Sequence, residues 1–322
     1  MRRSISILVF WLGSLLLAAP GWAAPPLVSP AELQVLRAAG QVRIVDTREE
    51  AAYALQHVPD AVSAPYGRWR GPATNPGLVP PLPELTALVQ SLGLTPDTRT
   101  VLVYTGTDSS DFATAARAYW TLKSLGVREL SILNGGLNAW RGAGLPVSQQ
   151  PAVAPRSTWQ PRFNPQWLAT RAEVRQLLGN GQAVLVDSRP APFFQGKVGH
   201  DAAKARGTLP GAVNLDSDLY FELGSAVLLD KAGLQTEADA AHAAPGQTVV
   251  TFCNAGHWSA TDWFVRSELL GEPHVKLYPG SIIDWSQAPE PLPMANEPGR
   301  LDKLRDMLTT WAQRNIPFKK TP

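Results

Sequence analysis

The chain has 322 residues, 44% of them hydrophobic and 17% charged, a balance that excludes long disordered or collagen-like architectures and fits one large or two medium globular domains. Its net charge of +2 includes Arg2 and Arg3, and removing these from the 29 basic residues leaves 27 against 27 acidic ones, with no electrostatic footprint for nucleic acid. The lone cysteine, Cys253, excludes an internal disulfide framework and any cysteine-rich zinc or iron-sulfur site.

Residues 1–23 begin with Arg2 and Arg3, run apolar from Ile5 to Ala19 and end on Gly21, Trp22 and Ala23. This is the layout of a secretory signal peptide. Cleavage is expected after Ala23, because a cut after Ala24 would leave Pro25 next and Trp22 two positions before it. About 15 apolar residues fall short of the ~20 that a spanning helix needs, so a membrane anchor is disfavoured. The twin arginine lacks the surroundings of a Tat signal, which leaves general secretion and a periplasmic or otherwise exported destination. In such a compartment an unpaired thiol is a liability, so a chain that keeps only Cys253 is expected to use it.

The next elements occur twice. Ser29-Pro30-Ala31-Glu32 reads as a capping box opening an amphipathic helix that runs on to Ala39, and Ile44-Val45-Asp46-Thr47-Arg48 as a short apolar strand ending in an Asp-Thr-Arg turn. Offset by 141 positions, Thr170-Arg171-Ala172-Glu173 and Leu185-Val186-Asp187-Ser188-Arg189 repeat the pattern. A buried strand over Thr100 to Tyr104 matches Thr248 to Phe252, and Leu133-Asn134-Gly135-Gly136 with Trp140 matches Tyr278-Pro279-Gly280-Ser281 with Trp285. Continuous apolar strands alternating with helices predict an α/β fold of two tandem units, each a parallel sheet flanked by helices on both faces. The expected units are 27–148 and 165–290. Pro146, Pro151, Pro155, Pro161 and Pro165 mark a semi-rigid extended linker over 149–164. In the tail, 291–322, Leu301, Leu304, Leu308 and Trp311 share one helical face, which suits packing on a domain; Lys319 and Lys320 leave docking to a partner or a membrane surface as the other reading.

Cys253 follows directly on the strand Thr248 to Phe252, and Asn254-Ala255-Gly256-His257-Trp258 leads from it into a helical stretch over Ser259 to Leu270, stopped by Gly271. Open α/β sheets place ligands at such carboxyl ends. A tight loop of successive amides and a helix start favour an anionic sulfur, and lowering a thiol pKa from ~8.5 by about two units takes roughly 2.7 kcal/mol. A buried cysteine acting as a small hydrophobe is the plain alternative. His257 could pair with Cys253 on a metal, though no further ligands cluster with them. His57, His200, His242 and His274 are scattered and read as surface or capping residues.

Together these residues resemble the rhodanese (sulfurtransferase) family, specifically its tandem members, the thiosulfate and mercaptopyruvate sulfurtransferases. The resemblance rests on Val45 to Arg48, His57-Val58-Pro59 with Ala61, Val103-Tyr104, Ser131 to Gly136 and Trp140, then on Val186 to Arg189, Leu209-Pro210-Gly211-Ala212-Val213-Asn214, the Cys253 loop and Leu277 to Ser281 with Trp285. It implies a catalytically silent first unit, with Thr105 at the place of Cys253, and an active site facing the boundary between the units. It implies that Cys253 takes a sulfur from a small donor as a persulfide and passes it to cyanide or a thiol, with no cofactor and no metal. Amides from Asn254, Ala255, Gly256, His257, Trp258 and Ser259 would hold the charge, and Asp187 and Arg189 would brace the loop and site entrance or form a purely structural pair.

Two departures bear on the donor. The loop carries Asn254 and Ala255 where thiosulfate enzymes often have basic residues, and Phe193 replaces an arginine often used on the donor, so thiosulfate is expected to be used less efficiently than by relatives with a loop arginine. Lys197, Lys204, Arg206 or a protonated His257 are the candidates to replace that charge. Phosphatase chemistry on a related fold would need arginine at Ser259. A non-catalytic sulfur carrier or thiol-sensing module for an exported partner, and a redox protein cycling through intermolecular disulfides, are the remaining alternatives.

Overall fold

The computed structural model describes residues 24–299. Within them, β1 (Leu27–Val28), β2 (Arg43–Asp46), β3 (Val62–Ser63), β4 (Thr100–Val103) and β5 (Leu130–Leu133) form one sheet in the order β1-β5-β4-β2-β3. A second sheet contains β6 (Ala183–Asp187), β7 (Val213–Asn214), β8 (Thr248–Phe252) and β9 (Val275–Leu277) in the order β7-β6-β8-β9. Every pairing is parallel, which requires helical crossovers and explains why β4 and β5 are buried along their whole length. The duplication extends to β1, whose counterpart is a single parallel bridge between Leu168 and Leu277.

The helix Pro30–Ala38 starts on the expected box: Ser29 Oγ accepts from the Glu32 amide at 3.3 Å, and the Ser29 amide donates to the Glu32 carboxylate at 2.7 Å. In the second unit only half of the box forms. Thr170 Oγ1 caps the Glu173 amide at 3.2 Å, but the Glu173 carboxylate is drawn 2.6 Å from Lys276 Nζ on β9, an ion pair that competes with the local contact. The proline-rich connector is extended and tied to the first unit, with Ser157 N donating to Gln90 O, Gln90 Nε2 to Trp159 O, and Asn164 N to Ser124 O. His57 departs from its expected surface role. It is fully buried and stacked on Tyr53 with centroids 3.9 Å apart, its ring nitrogens 2.7 Å from Tyr53 O and 3.0 Å from Gln150 O, so it pins the start of the connector. His200, His242 and His274 are exposed as expected. The expected leader over residues 1–23 and the expected tail helix through Leu301, Leu304, Leu308 and Trp311 fall outside the described residues, within which no helix is long and apolar enough to cross a membrane.

What positions the site is the helix Ser109–Leu125. Of its 17 residues, 12 are buried, because one face covers its own sheet and another meets the second unit. Phe112 and Tyr119 meet Phe264 edge-on at 5.7 and 4.9 Å, and Phe112 meets Phe221 at 5.3 Å. A single apolar cluster therefore spans both units. Each ring fully buried there contributes roughly 1.5–3 kcal/mol, which holds the two sheets in one register relative to each other.

Candidate active site

Cys253 stands at the end of β8, on a loop clamped from three sides. From below, Ser281 Oγ accepts from the amides of Cys253 at 3.0 Å and Gly256 at 3.2 Å and donates to Tyr278 O at 2.8 Å. Ile282 and Ile283 amides donate to the carbonyls of Cys253 and Asn254. Ser281 performs this task at φ +53°, in the left-handed region where a side chain is strained by about 1 kcal/mol or more. Gly256, at φ +63°, has no room for a side chain: a Cβ would strike Arg117 and Pro279.

From the side, Arg189 lies over Asp187 in a two-pronged ion pair, Nε to Oδ1 at 2.8 Å and Nη2 to Oδ2 at 2.6 Å, and sends Nη1 to Asn254 Oδ1 at 3.0 Å. Both members are buried, and Thr208 Oγ1 adds a donor to Asp187 at 2.7 Å. Asp187 and Arg189 thus brace the loop through Asn254.

From above comes the first unit, whose contribution is not apparent in the local sequence. His257 turns its side chain across the boundary, with Nδ1 2.8 Å from the Tyr66 hydroxyl and Nε2 3.1 Å from Ser110 Oγ, while the Trp258 indole donates to the same Ser110 Oγ at 3.1 Å. Arg117, fully buried on the helix Ser109–Leu125, donates to Gly256 O at 3.1 Å and to Gly77 O at 3.0 Å. Burial lowers its pKa to about 10, and it stays charged at neutral pH. Arg70 lies over the Tyr66 ring with its guanidinium carbon 4.9 Å from the centroid. Burial raises the Tyr66 phenol, which stays protonated. Burial, reinforced by the charges of Arg70 and Arg117, pushes the His257 imidazole down to about 3. His257 is therefore neutral and does not replace the missing positive charge; with both ring nitrogens engaged it is no metal partner for Cys253 either. Among the described residues no group of three or more His, Cys, Asp or Glu side chains is placed to hold a metal.

The expected convergence of loop amides on the sulfur is narrower than the sequence suggests. The His257 amide donates to Cys253 Sγ at 3.2 Å, whereas the Gly256 amide goes to Ser281 Oγ. Asn254 and Ala255 are buried, Ala255 against Gly77 of the first unit, and Ser259 is buried with its carbonyl accepting from Thr251 Oγ1. Trp258 packs its ring against Phe193 at 5.8 Å. Arg206 Nη1 donates to Lys197 O, and the Lys204 amide to Ser286 Oγ. Among the described residues no hydrogen bond or ion pair brings the Lys197 or Lys204 side chain to the cysteine loop.

The counterpart of Cys253 in the first unit is Tyr104, not Thr105. Asp46 on β2 pairs with Val103 as Asp187 on β6 pairs with Phe252, so the residues that follow, Tyr104 and Cys253, are equivalent. The Leu137 amide donates to Tyr104 O as the Ile282 amide does to Cys253 O, which confirms the register. The threonines that align the two strands in sequence, Thr100 and Thr248, are one pairing position out of step.

Of the residues missed, Arg117 carried a signal, as a lone charge amid Ala113, Ala115, Ala116 and Ala118; Tyr66 opens a short 3-10 turn, Arg70 follows it and Ser110 lies in the first turn of its helix, with nothing local to mark them.

A family model described as rhodanese-like domain matches residues 29–143 and 170–288. The chain is 30% identical over 272 residues to a thiosulfate sulfurtransferase of Azotobacter vinelandii, covering 83% of this chain and 96% of the relative. It is 28% identical over 211 residues to a 3-mercaptopyruvate sulfurtransferase of Escherichia coli K12, covering 64% and 71%. The crystal structure of SseA from Escherichia coli superposes with a TM-score of 0.70 at 23% identity, over 80% of this chain and 99% of that one, a likeness of fold.

Proposed function

The chain belongs to the rhodanese-like domain family, in both of its halves, and on that premise we propose that it is a sulfurtransferase that moves a sulfane sulfur from thiosulfate, or a related donor such as 3-mercaptopyruvate, to cyanide or a thiol through a persulfide on Cys253. The observation that carries this reading is a solitary thiol at the end of a central parallel strand, with a backbone amide aimed at its sulfur and its loop clamped by Ser281, Arg189 and Arg117. In the first half-reaction the Cys253 thiolate attacks the outer sulfur of thiosulfate. The Sγ–S bond forms as the S–S bond breaks, and the electron pair leaves with sulfite. In the second, a nucleophilic acceptor takes the outer sulfur and returns the thiolate. The His257 amide and the Arg117 charge stabilise the anionic sulfur in both. Cys253 is only 1% exposed, so a donor reaches it when the side chains joining the units part. That same burial supports the second reading, an exported sulfur carrier or thiol-sensing module whose partner opens the site. The leader-like pattern of residues 1–23 supports an exported location for either protein.

The test is to incubate the mature protein with thiosulfate and, separately, with mercaptopyruvate, and to look by mass spectrometry for one added sulfur on Cys253, while following turnover to cyanide or a thiol. We expect loading and repeated turnover, and none in Cys253→Ser. Loading without turnover would favour the carrier, and wild-type turnover in Cys253→Ser would refute the mechanism.

A further inference from the structure

Three arginines surround the cysteine loop, and two of them are already committed. Arg189 is neutralised by Asp187 and spends its remaining nitrogen on Asn254. Arg117 is fully buried and spends both terminal nitrogens on the carbonyls of Gly256 and Gly77. Arg70 is different. It is half-buried, its Nε, like that of Arg117, is shielded from solvent without a hydrogen-bond partner, and among the described residues its terminal nitrogens are committed to no carbonyl and no carboxylate. A shielded guanidinium donor left unpaired is costly unless something fills the place, and an oxyanion suits it best. Its position is set by the face of Tyr66, whose hydroxyl meets His257 one residue pair away from the sulfur: the amide of the same His257 donates to Cys253 Sγ. The second unit offers no such group, since Phe193 stands where a donor-binding arginine was expected and packs on Trp258 instead.

We propose that the first unit, although it carries no thiol, supplies the anion subsite of the reaction: Arg70, braced on Tyr66, binds the oxyanion end of a sulfur donor whose outer sulfur lies against Cys253. The inference rests on the sulfurtransferase reading and names the group that reading lacks. The shared chemistry is a small anion with its charge one or a few bonds from the transferable sulfur, a sulfonate end in thiosulfate or a carboxylate end in mercaptopyruvate. With thiosulfate, the sulfite that departs with the S–S electron pair forms beside the guanidinium. With mercaptopyruvate, the C–S bond breaks, the pair stays on carbon as the enolate of pyruvate, and a proton from the donor thiol or solvent completes the product.

Two measurements on the full mature protein test this. In steady-state kinetics, Arg70→Gln should raise KM for anionic donors about tenfold or more while kcat changes less than about threefold, and Arg70→Lys should fall between it and the wild type, because the charge remains but the planar fork over Tyr66 is lost. Whichever of thiosulfate and mercaptopyruvate shows the larger rise is the donor whose anionic end Arg70 meets. The second readout does not depend on sulfur transfer. Cys253 is alkylated with iodoacetate, an anion, and with iodoacetamide, its neutral analogue; the thiolate displaces iodide in both. The ratio of the two rates should fall in Arg70→Gln by a factor similar to the rise in KM. An unchanged ratio, or an equal loss with both reagents, would overturn the subsite and assign Arg70 a packing role. Failure of the wild type to turn over either donor would overturn the sulfurtransferase reading, and the donor assignment with it, while the alkylation ratio still decides whether Arg70 draws anions to Cys253.

Discussion

The two strand-to-helix loops, Tyr104 to Asp108 in the first unit and Cys253 to His257 in the second, occupy equivalent places in the two sheets, and the units differ at four points in and around them. The first unit fills the nucleophile's place with a tyrosine whose hydroxyl donates to Ala226 O and accepts from the Gly135 amide, closing the site with a ring. Where Ser281 collects two loop amides in the second unit, the first has Gly136 at φ +59°, with no side chain to offer. Arg48 repeats the fork on Asp46 and reaches Gln56 O just as Arg189 reaches Gly207 O, but among the described residues it has no counterpart of the bond that Arg189 sends to Asn254 in the loop. At the helix start, Asp108 caps its own helix through the Asp111 amide, while His257 in the same position reaches across the boundary to Tyr66 and Ser110. The scaffold is indifferent to chemistry. A handful of side chains at strand and helix ends give one copy a thiol on a clamped loop and leave the other as a wall over it.

The comparison can be broken most forcefully at the two buried forks. Replacing Arg189 or Arg48 with methionine leaves a buried carboxylate unpaired, and each variant should lose about 3–5 kcal/mol in urea unfolding. Only Arg189→Met should also slow sulfur loading of Cys253, because Asn254 loses its donor; equal losses of loading would mean that the loop contact has no role.

A smaller effect is expected at Ser281. Ser281→Ala keeps the left-handed strain and orphans the amides of Cys253 and Gly256, for an expected loss of about 2–4 kcal/mol, whereas Ser281→Gly relieves roughly 1 kcal/mol of it. The glycine variant, which copies Gly136, should be the more stable of the two and yet still load sulfur more slowly than the wild type. An alanine variant as stable as the glycine one would show that no strain is stored there.

The smallest effect, over the first pH unit below 6.5, is in the acid limb of stability. Because the folded His257 imidazole lies at about 3, below its ordinary 6.5, the unfolded chain takes up a proton that the folded chain refuses. The resulting stabilisation is complete above pH 6.5 and is lost as the pH falls toward 3, with a slope of at most about 1.4 kcal/mol per pH unit. His257→Gln should flatten that part of the curve, as followed by urea unfolding at neutral and mildly acid pH. An unchanged slope would place the acid sensitivity elsewhere.

Much of this molecule is legible without coordinates, for a local reason. Apolar runs such as Thr248 to Phe252, the Asp-Ser/Thr-Arg turns and the glycines after strands are set by neighbours a few residues away, so the two parallel sheets, their repetition and the placing of Cys253 at a strand end follow from the chain itself. Register is already less certain: threonines that look equivalent, Thr100 and Thr248, mislead by one position, because only the pairing of β2 with β4 and of β6 with β8 determines which residue stands opposite which. The roof of the site belongs mainly to tertiary structure, the lone charge of Arg117 amid alanines being its local sign. Tyr66, Arg70, Ser110 and Arg117 lie more than a hundred residues before Cys253, and they reach it only because the helix Ser109–Leu125 buries Phe112 and Tyr119 against Phe264. Packing between units depends on surfaces assembled from many segments at once, and no local pattern encodes such a surface.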